Sequence, residues 1–370
     1  MIIPGQGGVR VCARAEHATL THRTMASIPG TPSLRARPLM SVAKKQILVT
    51  GGAGFLGRNL VAALNELGEE NILLVDRLGD SGKWRNLVGL RFDDLIDPAE
   101  FRRRLREDRA PSPSTVFDLA GIEPPADAVD DDALLDANYR CARETCEWCL
   151  KQGGRFIHTS SASTYGDGSH GWFDRDELLG DLVPLEAHAY TKHLFDLWAA
   201  QSGALAKIAV VKPFSVYGPG EAHKGAAASL LLRLHQQIQA TGEVVLHRTH
   251  PQDTRAASQE QSHDFVHVRD VAAFLVHLFE HPEHVGVHNC GTGESHPFTM
   301  VAEHLFAAFE LSPKINYVDT PVPLRASTQD FTRAETTRMR STGFDRTMTP
   351  LADGIADYAG TLAVAHSPAV

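Results

Sequence analysis

Apolar residues along this chain follow two rhythms that take turns. Short unbroken runs such as Ile47-Leu48-Val49 and Ile72-Leu73-Leu74-Val75 read as strands buried on both faces. Between them, stretches such as residues 59–64, which end at Gly68, carry apolar positions at helical spacing. Further strands are expected at residues 90–93, 115–121, 155–161 and 207–212, and helices at 101–108 and 134–150, with a Pro/Ser loop at 109–114. Strand and helix signals in alternation predict an α/β fold, a Rossmann-type doubly wound parallel sheet. Beyond residue 213 the alternation loosens. Helices are expected at 226–238, 300–309 and 352–363, a strand and turn at 288–293, and a polar insertion at 247–262. The pattern divides into a parallel-sheet domain over residues 44–213, with 263–292 returning to it, and a smaller C-terminal lobe from 214–262 and 293–362.

The turn after the first strand carries the most chemistry. Thr50-Gly51-Gly52-Ala53-Gly54-Phe55-Leu56-Gly57 lies between a strand and a helix, and the second strand closes on Asp76. Glycines permit positive φ and close approach of a pyrophosphate, and the helix start offers unpaired N–H groups. An acid after the second strand accepts hydrogen bonds from the adenosine ribose. In sheets of this kind ligands collect at the carboxyl ends of the strands, which puts Gly121, Ser161 and Phe214 near the same crevice.

Composition narrows the picture only at its edges. The chain has 370 residues, is 43% hydrophobic and carries a net charge of −9, which argues against a nucleic-acid or membrane-surface partner. No apolar run is long enough to span a bilayer. Five cysteines, an odd number, fit a reducing, cytoplasmic setting, and Cys146-x-x-Cys149 lacks a second pair, so helix thiols are expected there. The histidine pairs His247/His250 and His281/His284 lack a supporting Cys or carboxylate in ligand spacing, so no metal site is assigned. Residues 1–40 hold Arg10, Arg14, Arg23, Arg35 and Arg37 against the single acid Glu16, without hydrophobic period. They read as a disordered leader, either a transit peptide or, by preference, an over-extended start ahead of Met40.

Three later segments turn a cofactor-binding fold into a candidate enzyme. These are Ser160-Ser161-Ala162-Ser163-Thr164-Tyr165-Gly166, then Tyr190-Thr191-Lys192, then Val216-Tyr217-Gly218-Pro219 with His223-Lys224-Gly225 and the later Asp264 to Val271 run. Together they resemble the extended short-chain dehydrogenase/reductase family, over about residues 45 to 360. Asp76-Arg77-Leu78, Lys83, Asn86-Leu87-Val88 and the Gly220 to Gly225 run place the likeness in its heptose-epimerase branch. The resemblance implies an isomerase acting on a nucleotide sugar, with bound NADP, or NAD in its place, in a homo-oligomer. It implies inversion of an alcohol-bearing carbon by transient oxidation and return of the hydride to the other face. Another NAD(P)-dependent nucleotide-sugar epimerase or oxidoreductase, or a non-catalytic cofactor-binding relative, is the alternative.

The resemblance also assigns positions. Gly51, Gly54, Phe55, Leu56, Gly57, Asp76, Arg77, Lys83, Asp94, Leu95, Asn138 and Lys192 would meet the cofactor. Ser161 would bond the reacting oxygen, Lys224 would act as a second base, and Ser215, Val216, His263 and Arg325 would meet the substrate. Several of these depart from the family pattern: Ser215 stands for an asparagine, His263 for an arginine, Thr328 for a tyrosine and Pro98 for a lysine. The largest departure is His188, four residues before Lys192, where the family has its tyrosine base. One helical turn puts His188 and Lys192 on one face, whereas Tyr190 is turned about 200° from Lys192. Histidine is a base near neutrality without assistance, but its distal nitrogen stops roughly 2 Å short of a tyrosine hydroxyl.

Overall fold

A computed structural model describes residues 46–122, 130–249 and 260–366. The leader at 1–40 and the middle of the polar insertion, residues 250–259, lie outside them. Strands β1 (Ile47–Thr50), β2 (Ile72–Val75), β3 (Asp94–Ile96), β4 (Thr115–Asp118), β5 (Arg155–Thr159), β6 (Ala209–Pro213) and β11 (Gly286–Cys290) make a seven-stranded sheet. Its order is β11-β6-β5-β4-β1-β2-β3 and every pairing is parallel. The unbroken apolar runs are explained by burial on both faces. Leu48, Leu73, Val116 and Phe156 face one hydrophobic cluster, and their neighbours Ile47, Leu74, Phe117 and Ile157 face another.

β1 pairs with β2 on one side and β4 on the other, so the connections leaving them diverge and open a crevice at their carboxyl ends. The remaining strands form three small pairs. β7 (Ser215–Tyr217) lies parallel to β10 (Phe265–His267), β8 (Val244–Arg248) parallel to β13 (Ile315–Asp319), and β9 (Ser262–His263) antiparallel to β12 (His296–Pro297). A third cluster, with Leu231, Leu234, Val301, Phe306 and Ile355, packs the helices Leu230–Thr241, Phe298–Ala308 and Leu351–His366 together. Among the described residues no helix is long and apolar enough to cross a membrane.

Two expectations need correction. The strand expected at 90–93 starts at Asp94 instead. The Asn65 side chain captures both backbone groups of Arg91, accepting from its N–H at 2.7 Å and donating to its carbonyl at 2.8 Å, so this residue is not available to the ladder. Leu90 and Phe92 pack against the core without pairing. The helix expected over 134–150 is broken in pitch: Asp131–Leu135 and Cys141–Lys151 are joined by a π-helical turn, Asp136–Arg140. Such turns recur at functional sites, and this one carries Asn138. Cys146 and Cys149 are buried core thiols, the first pushed well above its ordinary pKa by burial and the second up to about 12.

Candidate active site

The glycine turn is built so that nothing but glycine fits. Gly51 has φ +69°, and a Cβ there would meet the Leu119 carbonyl oxygen at 2.9 Å. A Cβ on Gly57 would collide with the backbone of Gly51 and Gly52, so the helix Phe55–Glu66 sits directly on the turn. That helix is capped by Gly54 with no side-chain bond and has no acid in its first turn, leaving N–H groups and a positive dipole end for an anion. The cradle therefore fits a dinucleotide pyrophosphate.

Asp76, almost fully buried at the end of β2, fixes this turn. It accepts from the Ala53 N–H at 2.9 Å, from the Arg77 N–H at 2.7 Å and from the Lys83 ammonium at 2.6 Å. Arg77 is exposed and pairs with Asp97 at 3.3 Å. The residue level with Asp76 on the neighbouring strand is therefore Asp97, because β3 pairs Val75 with Ile96. Asp94 lies opposite Leu73, about 7 Å back from that end, and its side chain accepts from the Leu95 N–H. Asp94 therefore sits two residues back from the strand end, and Leu95 packs against the core. Pro98 begins the helix Pro98–Arg106, with Asp97 as its cap.

Lys224 reaches the crevice through a loop pinned to the glycine turn. Asn59 donates to the Pro219 carbonyl at 2.9 Å, and Asn86 donates to the carbonyls of Ala53 and Gly220, both at 3.0 Å. Buried Glu221 anchors the far side, accepting from the N–H of Ser229 at 2.6 Å and its hydroxyl at 2.7 Å. The Lys224 ammonium then lies 5.8 Å from the Phe55 ring centre.

At the end of β5, Ser161 adopts an extended backbone and starts the 3₁₀ turn Ala162–Tyr165. Its Oγ accepts from the Ser163 N–H at 3.1 Å and hydroxyl at 2.8 Å, which leaves its own proton to donate. A buried ion pair supports this turn: Lys212 Nζ is 2.7 Å from Asp196 and donates to Thr164 Oγ1 at 2.5 Å, while Ser160 donates to Asp196 at 2.8 Å. Lys192 is buried and donates to the carbonyls of Ala120 and Thr159 at 3.2 and 3.0 Å. Beneath it Asp118 accepts from Thr50 at 2.6 Å and faces His158 Nδ1 at 2.7 Å. Burial pushes the Asp118 carboxyl up, but the His158 hydrogen bond and the charges of His158 and Lys192 outweigh it, so the net shift is downward.

A cavity of about 400 Å³ opens above these groups. Phe55, Leu56, Gly121, Ser161, His188, Lys192, Ser215, Val216, Lys224 and His263 all line it. His188 and Lys192 share a face of the helix Ala187–Gln201, and Tyr190 points outward, 53% exposed. A second cavity of about 360 Å³ shares Ser163, Glu186, Arg233, His263 and Gln329 with the first, and Thr328 lines it.

Three assigned residues are engaged by partners within the chain. Asn138 is fully buried and lines neither cavity. It accepts from the Ile122 N–H at 2.8 Å and donates to the Ile122 carbonyl and to Thr191, both at 3.1 Å, bracing both the strand end at Gly121 and the residue beside Lys192. Arg325 also lines neither cavity and donates to the Thr320 carbonyl at 2.8 Å, closing its own loop. His263 lines both cavities, and burial pushes its pKa down to about 4, which disfavours the imidazolium near neutral pH. Neutral, it must donate from Nε2 to the Gln329 carbonyl at 2.7 Å and accept at Nδ1 from the Ser215 hydroxyl at 3.1 Å.

Among the lining residues that the sequence reading did not single out, two bear on the chemistry. Arg233 puts a positive charge between both cavities, and its one signal was a lone cation within Leu230-Leu231-Leu232-Arg233-Leu234. Gln329 donates to the Gly166 carbonyl at 2.6 Å and gave no signal at all.

Comparisons with known proteins show what the chain is similar to. A model of the NAD dependent epimerase/dehydratase family matches residues 47–291. ADP-L-glycero-D-manno-heptose-6-epimerase of Nitratidesulfovibrio vulgaris (strain DP4) is 38% identical over 322 residues, which cover 87% of this chain and 99% of that protein. The Helicobacter pylori ADP-L-glycero-D-manno-heptose-6-epimerase structure matches at a TM-score of 0.68 and 22% identity, over 88% of this chain and 97% of its own. The Thermus thermophilus UDP-glucose 4-epimerase structure in complex with NAD matches at a TM-score of 0.67 and 24% identity, over 86% of this chain and 99% of its own. At these identities the two structures speak for the fold.

Proposed function

As the chain belongs to the NAD dependent epimerase/dehydratase family, we propose that it is a nucleotide-sugar epimerase that inverts C6 of an ADP-activated heptose. The observation that carries the reading is the shared cavity: His188 and Lys192 from one helix, Ser161 from the end of β5 and Lys224 from the pinned loop all line it. A carbon bearing H and OH has no acidic C–H, so its inversion requires oxidation and reduction on opposite faces. When bound, the nicotinamide supplies a reversible acceptor for the hydride. The residues of the chain supply the rest.

Ser161 donates from Oγ to the reacting oxygen and stabilises the charge that develops there. Lys192, held against two carbonyls by its ammonium, places positive charge beside the nicotinamide ribose. His188 takes or returns the alcohol proton at an imidazole nitrogen in one pose of the sugar, and Lys224 Nζ does so in the opposite pose. Arg233 supplies the cation that His263 does not, and meets the diphosphate. The cofactor is NADP, with NAD accepted in its place. Lys83 neutralises Asp76, which removes the repulsion a 2′-phosphate would otherwise meet. Lys83→Ala is expected to weaken NADP binding about tenfold while changing NAD binding much less, read by fluorescence titration with the two reduced cofactors. Equal losses for both would remove Lys83 from the 2′ position.

The activity test is direct. Purified protein is incubated with ADP-heptose deuterated at C6, and the product is read by NMR. Interconversion of the C6 epimers with the deuteron retained supports the proposal. A protein that binds dinucleotide yet leaves ADP- and UDP-sugars unchanged, with His188→Tyr restoring turnover, would show a non-catalytic relative.

A further inference from the structure

The sheet has a second chemically rich place, at the end of its strands away from the cavity. The helix Val268–Glu280 ends at His281, and the chain turns through Pro282, Glu283 and His284 before β11 starts at Gly286. Since β11 runs toward the cavity from Gly286, this turn lies at the amino ends of the strands. Glu283, which stands between the two histidines, is a carboxylate within reach of both. In the folded chain one ligand atom from each of His281, Glu283 and His284 lies within 4.8 Å of the others. His281 Nδ1 is 3.3 Å from Glu283 Oε1, and His284 Nε2 is 3.7 Å from the same oxygen. Tetrahedral zinc with bonds of about 2.0–2.1 Å sets its ligand atoms roughly 3.3 Å apart, so two edges are close to what the ion requires.

The turn is also held in place. The His281 N–H donates to the His277 carbonyl at 3.0 Å, the His284 N–H donates to the His281 carbonyl at 3.2 Å, and Arg155 donates to the His284 carbonyl. His277 packs on His281 with ring centres 4.5 Å apart, and its Nε2 donates to the Thr342 carbonyl at 3.0 Å. The carbonyls of the helix end favour a cation beside them.

We propose that His281, Glu283 and His284 form a binding site for a divalent transition-metal ion, of which zinc is the representative. Two imidazoles and one carboxylate supply three ligands, and water completes the shell. The ion would tie the end of the helix to the start of β11 and stabilise the folded chain by mass action, independently of what the cavity does.

The test uses the full-length untagged protein, stripped with chelator and dialysed against Zn²⁺. The wild type is expected to retain one zinc per chain more than His281→Ala/His284→Ala, and to give the strong visible absorption of four-coordinate Co²⁺ when cobalt is substituted. Glu283→Gln, an exposed and structurally mild change, should weaken Zn²⁺ binding about tenfold or more and reduce the rise in Tm that Zn²⁺ produces. Dinucleotide binding should be the same in all variants. Equal zinc content in wild type and double variant, or unaltered affinity in Glu283→Gln, would overturn the site.

Discussion

Lys212→Met is expected to destabilise the protein by about 3–5 kcal/mol, measured by urea unfolding without cofactor. Both Lys212 and Asp196 are wholly enclosed, and their 2.7 Å pair is bonded on to Thr164 and Ser160. Removing the ammonium leaves a carboxylate in the core with the Ser160 hydroxyl as its remaining hydrogen-bond donor among the described contacts, and the unpaired charge sets the loss. Asp196→Asn should lose a similar amount for the opposite reason. The pair Asp196→Leu/Lys212→Met should recover most of it, because exchanging both charges for apolar groups removes the desolvation penalty along with the attraction. A single-variant loss below about 1 kcal/mol would mean that water reaches the pair. The double variant should nevertheless turn over more slowly, since the 3₁₀ turn carrying Ser163 and starting at Ser161 loses its support.

Lys224→Met is expected to lower kcat by about 10²–10⁴-fold with KM little changed, assayed as C6 interconversion. On the proposed mechanism one base cannot serve both poses of the sugar, so the full reaction would stall even though oxidation in the His188 pose stays open. Reduction of bound cofactor without epimer exchange, seen as nicotinamide absorbance, would be the signature. The opposite pattern, a raised KM with kcat intact, would make Lys224 a phosphate-binding charge. The loop itself should hold, because Asn59, Asn86 and Glu221 fix it through bonds that do not involve the Lys224 side chain.

The strands next to the crevice were legible because a parallel sheet covered on both faces needs apolar runs: β1 and β2 carry three and four apolar residues in a row, and β4 and β5 an apolar pair each. β3 was misplaced for the converse reason. Residues 90–93 alternate like a strand, while the real edge strand begins with an exposed Asp94. The alternation is genuine, but the Asn65 amide, 26 residues away, takes the backbone that would have paired. The π-turn at Asp136–Arg140 was invisible, because one extra residue per turn barely alters an apolar pattern.

The site divides along the same line. Gly51, Gly57 and Asp76 could be read because each answers to local backbone geometry, and His188 because helical spacing relates it to Lys192. His263 and Arg325 could not be judged. A histidine's charge depends on burial and on the Gln329 carbonyl, 66 residues away, and an arginine's direction depends on the loop it closes.

The sequence by itself determined that this protein holds a dinucleotide, since strand, glycine turn, helix and acid lie within thirty residues and the chemistry follows from backbone conformation. The tertiary structure decided what surrounds it. His188, the stretch carrying Lys224 and Arg233, and Gln329 are far apart in the chain, and only packing brings them around one cavity. Packing also lowers the pKa of His263, because the charge of a buried imidazole depends on solvent exclusion.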